Sequence, residues 1–327
     1  MAESRIAIYG AIAANVAIAV TKFVVAGITG SSAMLSEGIH STVDTGNGLL
    51  LLIGIHLSQR KPTLEHPFGH GKELYFWSLI VAVLIFGLGG GVSAYEGILH
   101  MLHPEPLKDA FWSYVVLAVA AVFEGTSFTI AARQFWKEKG DAPLWIALRR
   151  SKDPSTYTVL AEDSAALAGL IAAALGVWAS HVLDLPEIDG AASIVIGLLL
   201  AFVAVLLIRE ARGLLIGEGI RPETARAIRE LVLETDSVRD VSWPLSMYIG
   251  PEEVLLTLDA AFDPKIPSGE VARAVRAIEQ KIRERYPVIK RIYIEAAGTS
   301  HAAEAPPGAD HEVAVPDDGV SATANRD

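Results

Sequence analysis

Apolar residues in this chain gather into long runs instead of being spread evenly among polar ones. Six runs, at roughly 6–28, 34–57, 74–101, 111–132, 156–182 and 188–208, reach the ~18 residues a helix needs to cross a bilayer. After Arg209 the pattern changes. "RPETARAIRELVLETD" has Pro222 near its start and apolar residues at helical spacing. "VRDVSWPLSMYIG" and "EVLLTLDAAFD" alternate like strands and are parted by Gly250 and Pro251. "SGEVARAVRAIEQKIRERYP" predicts an amphipathic helix opened by Ser268, with Glu270 in its first turn, and "IKRIYIEA" a last strand. The expected architecture is an all-α six-helix transmembrane bundle over 1–209, followed by a small α+β domain (αββαβ, ferredoxin-like) over 210–297. One face of such an open sheet stays uncovered and often pairs with a second copy. Residues 298–327 are rich in Ala, Pro, Asp and Gly, lack an apolar period and read as a disordered tail.

Composition agrees with a membrane protein: 51% of the 327 residues are hydrophobic and the mean hydropathy is +0.38. The net charge of −11, part of it from the acidic tail, argues against nucleic acid as a partner. With no cysteine, disulfides, thiolate metal sites and thiol catalysis are excluded. "MAESR" is weakly basic, so the first apolar run is expected to be an uncleaved span, with no transit peptide before it. Positive charge orients the spans. The loop after span 2 carries Arg60, Lys61 and Lys72, and that after span 4 carries Arg133, Lys137, Lys139, Arg149, Arg150 and Lys152. Arg209 and Arg212 follow span 6, whereas the opposite loops hold only Lys108. Both termini and the soluble domain are therefore expected on the cytoplasmic side, in a prokaryotic plasma membrane.

Against that background "SEGIHSTVDTGNG", residues 36–48, needs a reason, because a charge at the bilayer centre costs about 2.5–3.5 kcal/mol. On a helix His40 and Asp44 are i, i+4 neighbours, and Glu37 lies a turn earlier on roughly the same side. Imidazole nitrogen and carboxylate oxygen are ligands for Zn²⁺ and other first-row divalent ions. Span 5 places Glu162 and Asp163 among small apolar residues. At ~1.5 Å per residue, His40 and Asp44 lie about 14 and 20 Å below the outer face. Glu162 lies about 18 Å below that face in a ~30 Å core. Acidic groups on two oppositely directed helices thus reach one level, where a cation or protons would have to separate them. Lys22, Glu96 and Glu124 are expected to snorkel from span ends. Asn15 and Asn47 are expected to bond between helices. In the loop "EHPFGHGKE", His66 and His70 beside Glu65 are candidates for a second metal ion, although Pro67, Gly69 and Gly71 exclude a helix there. The Gly-rich 87–97 stretch is expected only to let helices pack closely.

"SSAMLSEGIHSTVDTGNGLLLLIG", then "HPFGHGKELYFWSL", within six spans and a short αβ domain, resembles the cation diffusion facilitator family over roughly residues 5–297. "LRRSKDPSTYTVLAEDSAALAG" further resembles the branch that contains the mitochondrial zinc transporter of animals. The resemblance implies a homodimeric exporter of Zn²⁺ or a related ion (Mn²⁺, Fe²⁺, Co²⁺) in exchange for protons, without prosthetic group or enzymatic activity. It implies a transport site built from His40 and Asp44 on span 2 and an acidic pair on span 5, here Glu162 and Asp163. Relatives carry His-x-x-x-Asp on span 5, which this chain lacks, so its site is richer in hard oxygen. Residues 210–297 contain no histidine, so zinc sensing of the kind seen in relatives is not expected there. The remaining alternatives are a membrane metal sensor or channel, or a membrane metalloenzyme, for which the sequence offers no accompanying acid–base cluster.

Overall fold

The computed structural model describes residues 2–104, 110–139 and 154–297, with the tail from 298 on outside them. The chain divides into two compact units, one holding Met1–Glu218 with Tyr248–Glu253, the other Gly219–Met247 with the residues from Val254 on.

The first unit is helical. Helix α1 (Ala2–Thr29) and helix α2 (Ser32–Ser58) form a tight hairpin. Gly30 has φ +73, which a residue without a side chain adopts freely, and its N–H bonds Ala26 C=O at 2.8 Å. Ser31 then caps α2, its hydroxyl accepting from Met34 N at 3.1 Å. Asp189 strengthens this start from another helix, accepting from Ser31 Oγ (2.7 Å), Ser32 N (2.5 Å) and Ala33 N (3.1 Å).

Helix α3 (Glu73–Leu84), a π-helical segment (Ile85–Val92) and helix α4 (Ser93–Leu102) run on as one rod. Helices α5 (Phe111–Lys139), α6 (Pro154–Leu183) and α7 (Glu187–Ile216) complete the unit. The expected close packing of 87–97 is present. A Cβ on Gly97 would stand 2.6 Å from Gly190 C=O, and one on Gly90 3.0 Å from Gly197 C=O, so the rod and α7 meet backbone to backbone. The π-helical segment that overlaps that stretch, Ile85–Val92, was not expected from the sequence.

Four described helical stretches are long and apolar enough to span a membrane: Glu73–Leu102, Phe111–Lys137, Thr158–Leu183 and Glu187–Ile216. Asn15–Thr29 is a shorter apolar helix. Helix α2 has 27 residues but falls outside this set, because its Ser, Thr, Glu, His, Asp and Asn side chains dilute its apolar character. On α7, Ile196, Leu200, Ala204 and Leu207 are buried at helical spacing, while Val195, Leu198 and Phe202 lie on the outside. The outer face is thus apolar too, as hydrocarbon surroundings require. The helix runs on to Ile216, beyond the expected domain limit at 209.

The segment from Pro222 to Ala297 departs from the expected αββαβ order. Helix α8 (Pro222–Leu233) is followed by three strands, β1 (Val238–Val241), β2 (Leu245–Gly250) and β3 (Glu253–Phe262), then helix α9 (Ser268–Arg285) and β4 (Ile289–Ala297). The stretch expected as one strand breaks at Ser242–Pro244, where Pro244 has no N–H to give a ladder. Strand β3 is central: β1 pairs with it antiparallel from Val238↔Phe262, and β4 parallel from Val254↔Ile289. Val254, Leu256, Leu258 and Ala260 alternate on its buried face, with Ile228 and Val232 of α8 and Ile278 and Ile282 of α9 also buried. The other side leaves Tyr293 and Leu245 exposed.

Candidate metal site

A partly open cavity of about 190 Å³ lies between the helices of the first unit. Asp44 and Asn47 of α2, Glu124 and Ser127 of α5, and Glu162 and Asp163 of α6 supply its polar wall. The local cause is helical period: Asp44 and Asn47 are three apart on α2, as are Glu124 and Ser127 on α5, so each pair shares a face. Asn15 of α1 lies on the wall as well.

His40 is buried just behind this wall, with Nδ1 3.5 Å from Asp44 Oδ1. Among the described residues, neither ring nitrogen makes a hydrogen bond, and nor does Asp44 Oδ1. A buried imidazole normally finds a hydrogen-bond partner; without one, its unprotonated nitrogen keeps a lone pair to offer a cation or a proton. Asn47 donates to Glu162 Oε1 at 2.9 Å, the interhelical bond expected of it. Ser127 donates to Asp163 Oδ2 at 2.9 Å.

Glu162 and Asp163 are adjacent on a helix and so point about 100° apart. Both line the cavity, Glu162 reaching toward α2 and Asp163 toward α5. Asp44, Glu162 and Asp163 therefore line one space, with His40 beside Asp44 behind its wall, but each carboxylate of α6 is engaged by a different neighbour. In this arrangement no three His, Asp or Glu side chains among the described residues stand close enough to hold a metal ion together.

Lys22 and Glu124 do not snorkel. Lys22 is fully buried, and its ammonium donates to Glu37 Oε2 (2.9 Å), Ser41 Oγ (2.8 Å) and Glu124 Oε1 (3.1 Å). Glu124 stands in the middle of α5, not at its end. The sequence holds one signal of this cluster. In a tight helical hairpin, residues equally distant from the turn are neighbours, and Lys22 and Glu37 flank Gly30–Ser31 at nearly equal distance.

His66 and His70 are brought together outside the helices. Turns at His66–Gly69 and His70–Glu73, with Gly69 at φ +89, fold the loop back. The two rings lie 4.6 Å apart, tilted by 35°. His70 Nδ1 is buried without a hydrogen bond among the described residues.

Residues 8–216, which take in α2, α5, α6 and the whole cavity wall, match the model of the cation efflux transmembrane domain. The chain belongs to the cation efflux family. It is 35% identical over 241 residues to the mitochondrial proton-coupled zinc antiporter SLC30A9 of Homo sapiens, covering 73% of this chain and 42% of that protein. It is 34% identical over 254 residues to metal tolerance protein C4 of Arabidopsis thaliana, covering 76% of this chain and 55% of the relative. Magnetosome protein MamM of Magnetospirillum gryphiswaldense is 24% identical over 292 residues, 87% and 85% of the two chains. The chain thus spans less than half the length of the animal antiporter and about half that of the plant protein.

Proposed function

We propose that this cation efflux protein exports a divalent metal ion, Zn²⁺ or the related Mn²⁺, Fe²⁺ or Co²⁺, in exchange for protons. The observation that carries the reading is the membrane-level cavity between α2 and α6. It gathers Asp44, Glu162 and Asp163, with the unpartnered imidazole of His40 behind it. Membership of a family that includes a proton-coupled zinc antiporter supports the direction of the chemistry.

His40, Asp44, Glu162 and Asp163 are the cargo ligands in this reading. Metal binding requires a neutral imidazole and ionised carboxylates, so each arriving cation displaces protons, and protons entering from the far side displace the cation. An unperturbed imidazole titrates near neutrality, within reach of physiological gradients. Alternating access presents the site first to one side and then to the other. For Asp44 and the α6 pair to share one ion, Glu162 turns from Asn47 and Asp163 from Ser127, a matter of side-chain rotation.

In the same reading six helices span the bilayer: α1, α2, the α3–α4 rod, α5, α6 and α7. The basic loops place the termini in the cytoplasm of a prokaryotic cell. The ferredoxin-like second unit serves as the dimerisation domain of a homodimer through its open sheet face. His66 and His70 hold a second metal ion. The test is uptake of Zn²⁺ into inverted vesicles. Asp44→Ala is expected to abolish uptake while the protein remains folded, and normal uptake by that variant would remove Asp44 from the site.

A further inference from the structure

The mechanism above draws its ligands from α2 and α6 and leaves α5 without a role, yet α5 places a carboxylate on the cavity wall. We propose that Glu124 is an additional cargo-facing carboxylate, positioned by Lys22, that draws a divalent cation into the cavity. The inference rests on the transporter reading and extends it.

Charge counting motivates it. Lys22 is saturated, since an ammonium has three N–H donors and all three are engaged. Its single positive charge is already answered by Glu37, fully buried at 2.9 Å. Glu124 is therefore a surplus negative charge, and a surplus charge inside a membrane is costly unless it serves something. Its two oxygens have different surroundings. Oε1 is tied to Lys22 at 3.1 Å, while Oε2 is buried without a hydrogen bond among the described residues. The residue lines the same cavity as Asp44, Glu162 and Asp163. Ser127, one turn further along α5, lines it too and holds Asp163. A pair that only fastened α1 to α5 would have no need to face this space. Lys22 fixes the carboxylate by one oxygen and leaves the other to meet a cation.

The experiment is a competition titration of the purified full-length protein with Zn²⁺ and, separately, Mn²⁺ against a chromophoric chelator. Glu124→Gln keeps the shape and an acceptor for Lys22 but removes the charge. It is expected to weaken both ions by a similar factor, about tenfold. Glu124→Asp keeps the charge and is expected to recover most of that loss. Affinity within twofold of wild type for Glu124→Gln, or an Asp variant as weak as the Gln variant, overturns the proposal. Carboxyl footprinting of the wild-type protein, read by mass spectrometry, keeps the question decidable if a variant does not fold. Labelling of Glu124 is expected to fall over the same Zn²⁺ range as that of Asp44, and a Glu124 that stays fully labelled overturns the proposal. Asp44→Ala, run in parallel, separates the two failures. Binding that survives Asp44→Ala sinks the transport site itself. Binding lost in Asp44→Ala but unchanged in Glu124→Gln sinks only the role of Glu124.

Discussion

Lys22→Met tests the buried charge cluster directly. The wild-type ammonium and the Glu37 carboxylate are both fully buried, with Nζ 2.9 Å from Oε2. Glu37 Oε1 already lacks a hydrogen bond among the described residues, so removing Lys22 strips the carboxylate of its strongest partner. Removing one member of a buried ion pair costs about 3–5 kcal/mol, because the remaining charge is left uncompensated. Glu37→Gln is milder, since an amide oxygen still accepts from Lys22 and Glu124 still balances its charge. The double variant Lys22→Met/Glu37→Gln has no stranded charge at Glu37 and should regain about half of the single-variant loss. Thermal or denaturant unfolding of the full-length protein in detergent measures all four members of the cycle. Had Lys22 reached the membrane surface instead, its truncation would change stability by no more than about 0.5 kcal/mol. A result of that size, or strictly additive single variants, refutes the buried cluster.

Asp189→Ala removes the acceptor of three hydrogen bonds at the start of α2 and should cost about 3–5 kcal/mol in the same unfolding assay, with Asp189→Asn losing less. Gly97→Val places side-chain atoms where Gly190 C=O already stands 2.6 Å from the Cβ position. Such a protein should fold in low yield by size-exclusion chromatography. Exchanging a carboxylate of α6 for imidazole, Glu162→His or Asp163→His, should shift competition binding toward Zn²⁺ over Mn²⁺; no shift at either position would remove α6 from the site. In the second unit the Lys265 backbone N–H and the Arg239 guanidinium hold the Asp263 carboxyl below the usual carboxylate range. A depressed folded value means the stabilisation is full above the unfolded carboxylate's pKa and is lost as pH falls through the folded one. The difference in melting temperature between wild type and Asp263→Asn should therefore be present at neutral pH and vanish in strong acid.

Much of the fold was legible because apolar runs of membrane length leave few alternatives to helices. The candidate site was legible for a related reason: His40, Asp44, Glu162 and Asp163 are conspicuous among apolar neighbours, and a simple rise per residue brings both groups to one depth. Lys22 and Glu124 were not legible by that method. Distance from the end of an apolar run equals depth only where the helix ends with the run, and α5 extends past its run to Lys139, which puts Glu124 mid-helix. The sequence carries no signal for the role of Asp189, because its task is tertiary, capping a helix far away in sequence. The break between β1 and β2 was signalled by Pro244 and outweighed by the apolar alternation around it. The π-helical turn at Ile85–Val92 lies in a glycine-rich stretch, and glycine permits that geometry without dictating it.

In the proposed exchange, metal and protons compete for one site and so move in opposite directions. Its most direct test is uphill transport in proteoliposomes with equal Zn²⁺ on both sides and an imposed pH gradient. The account predicts that Zn²⁺ accumulates in the more acidic compartment as protons leave it, and that Asp44→Ala abolishes both fluxes. Zn²⁺ that stays level while the pH gradient persists, in vesicles that pass Zn²⁺ readily down its own gradient, would contradict it.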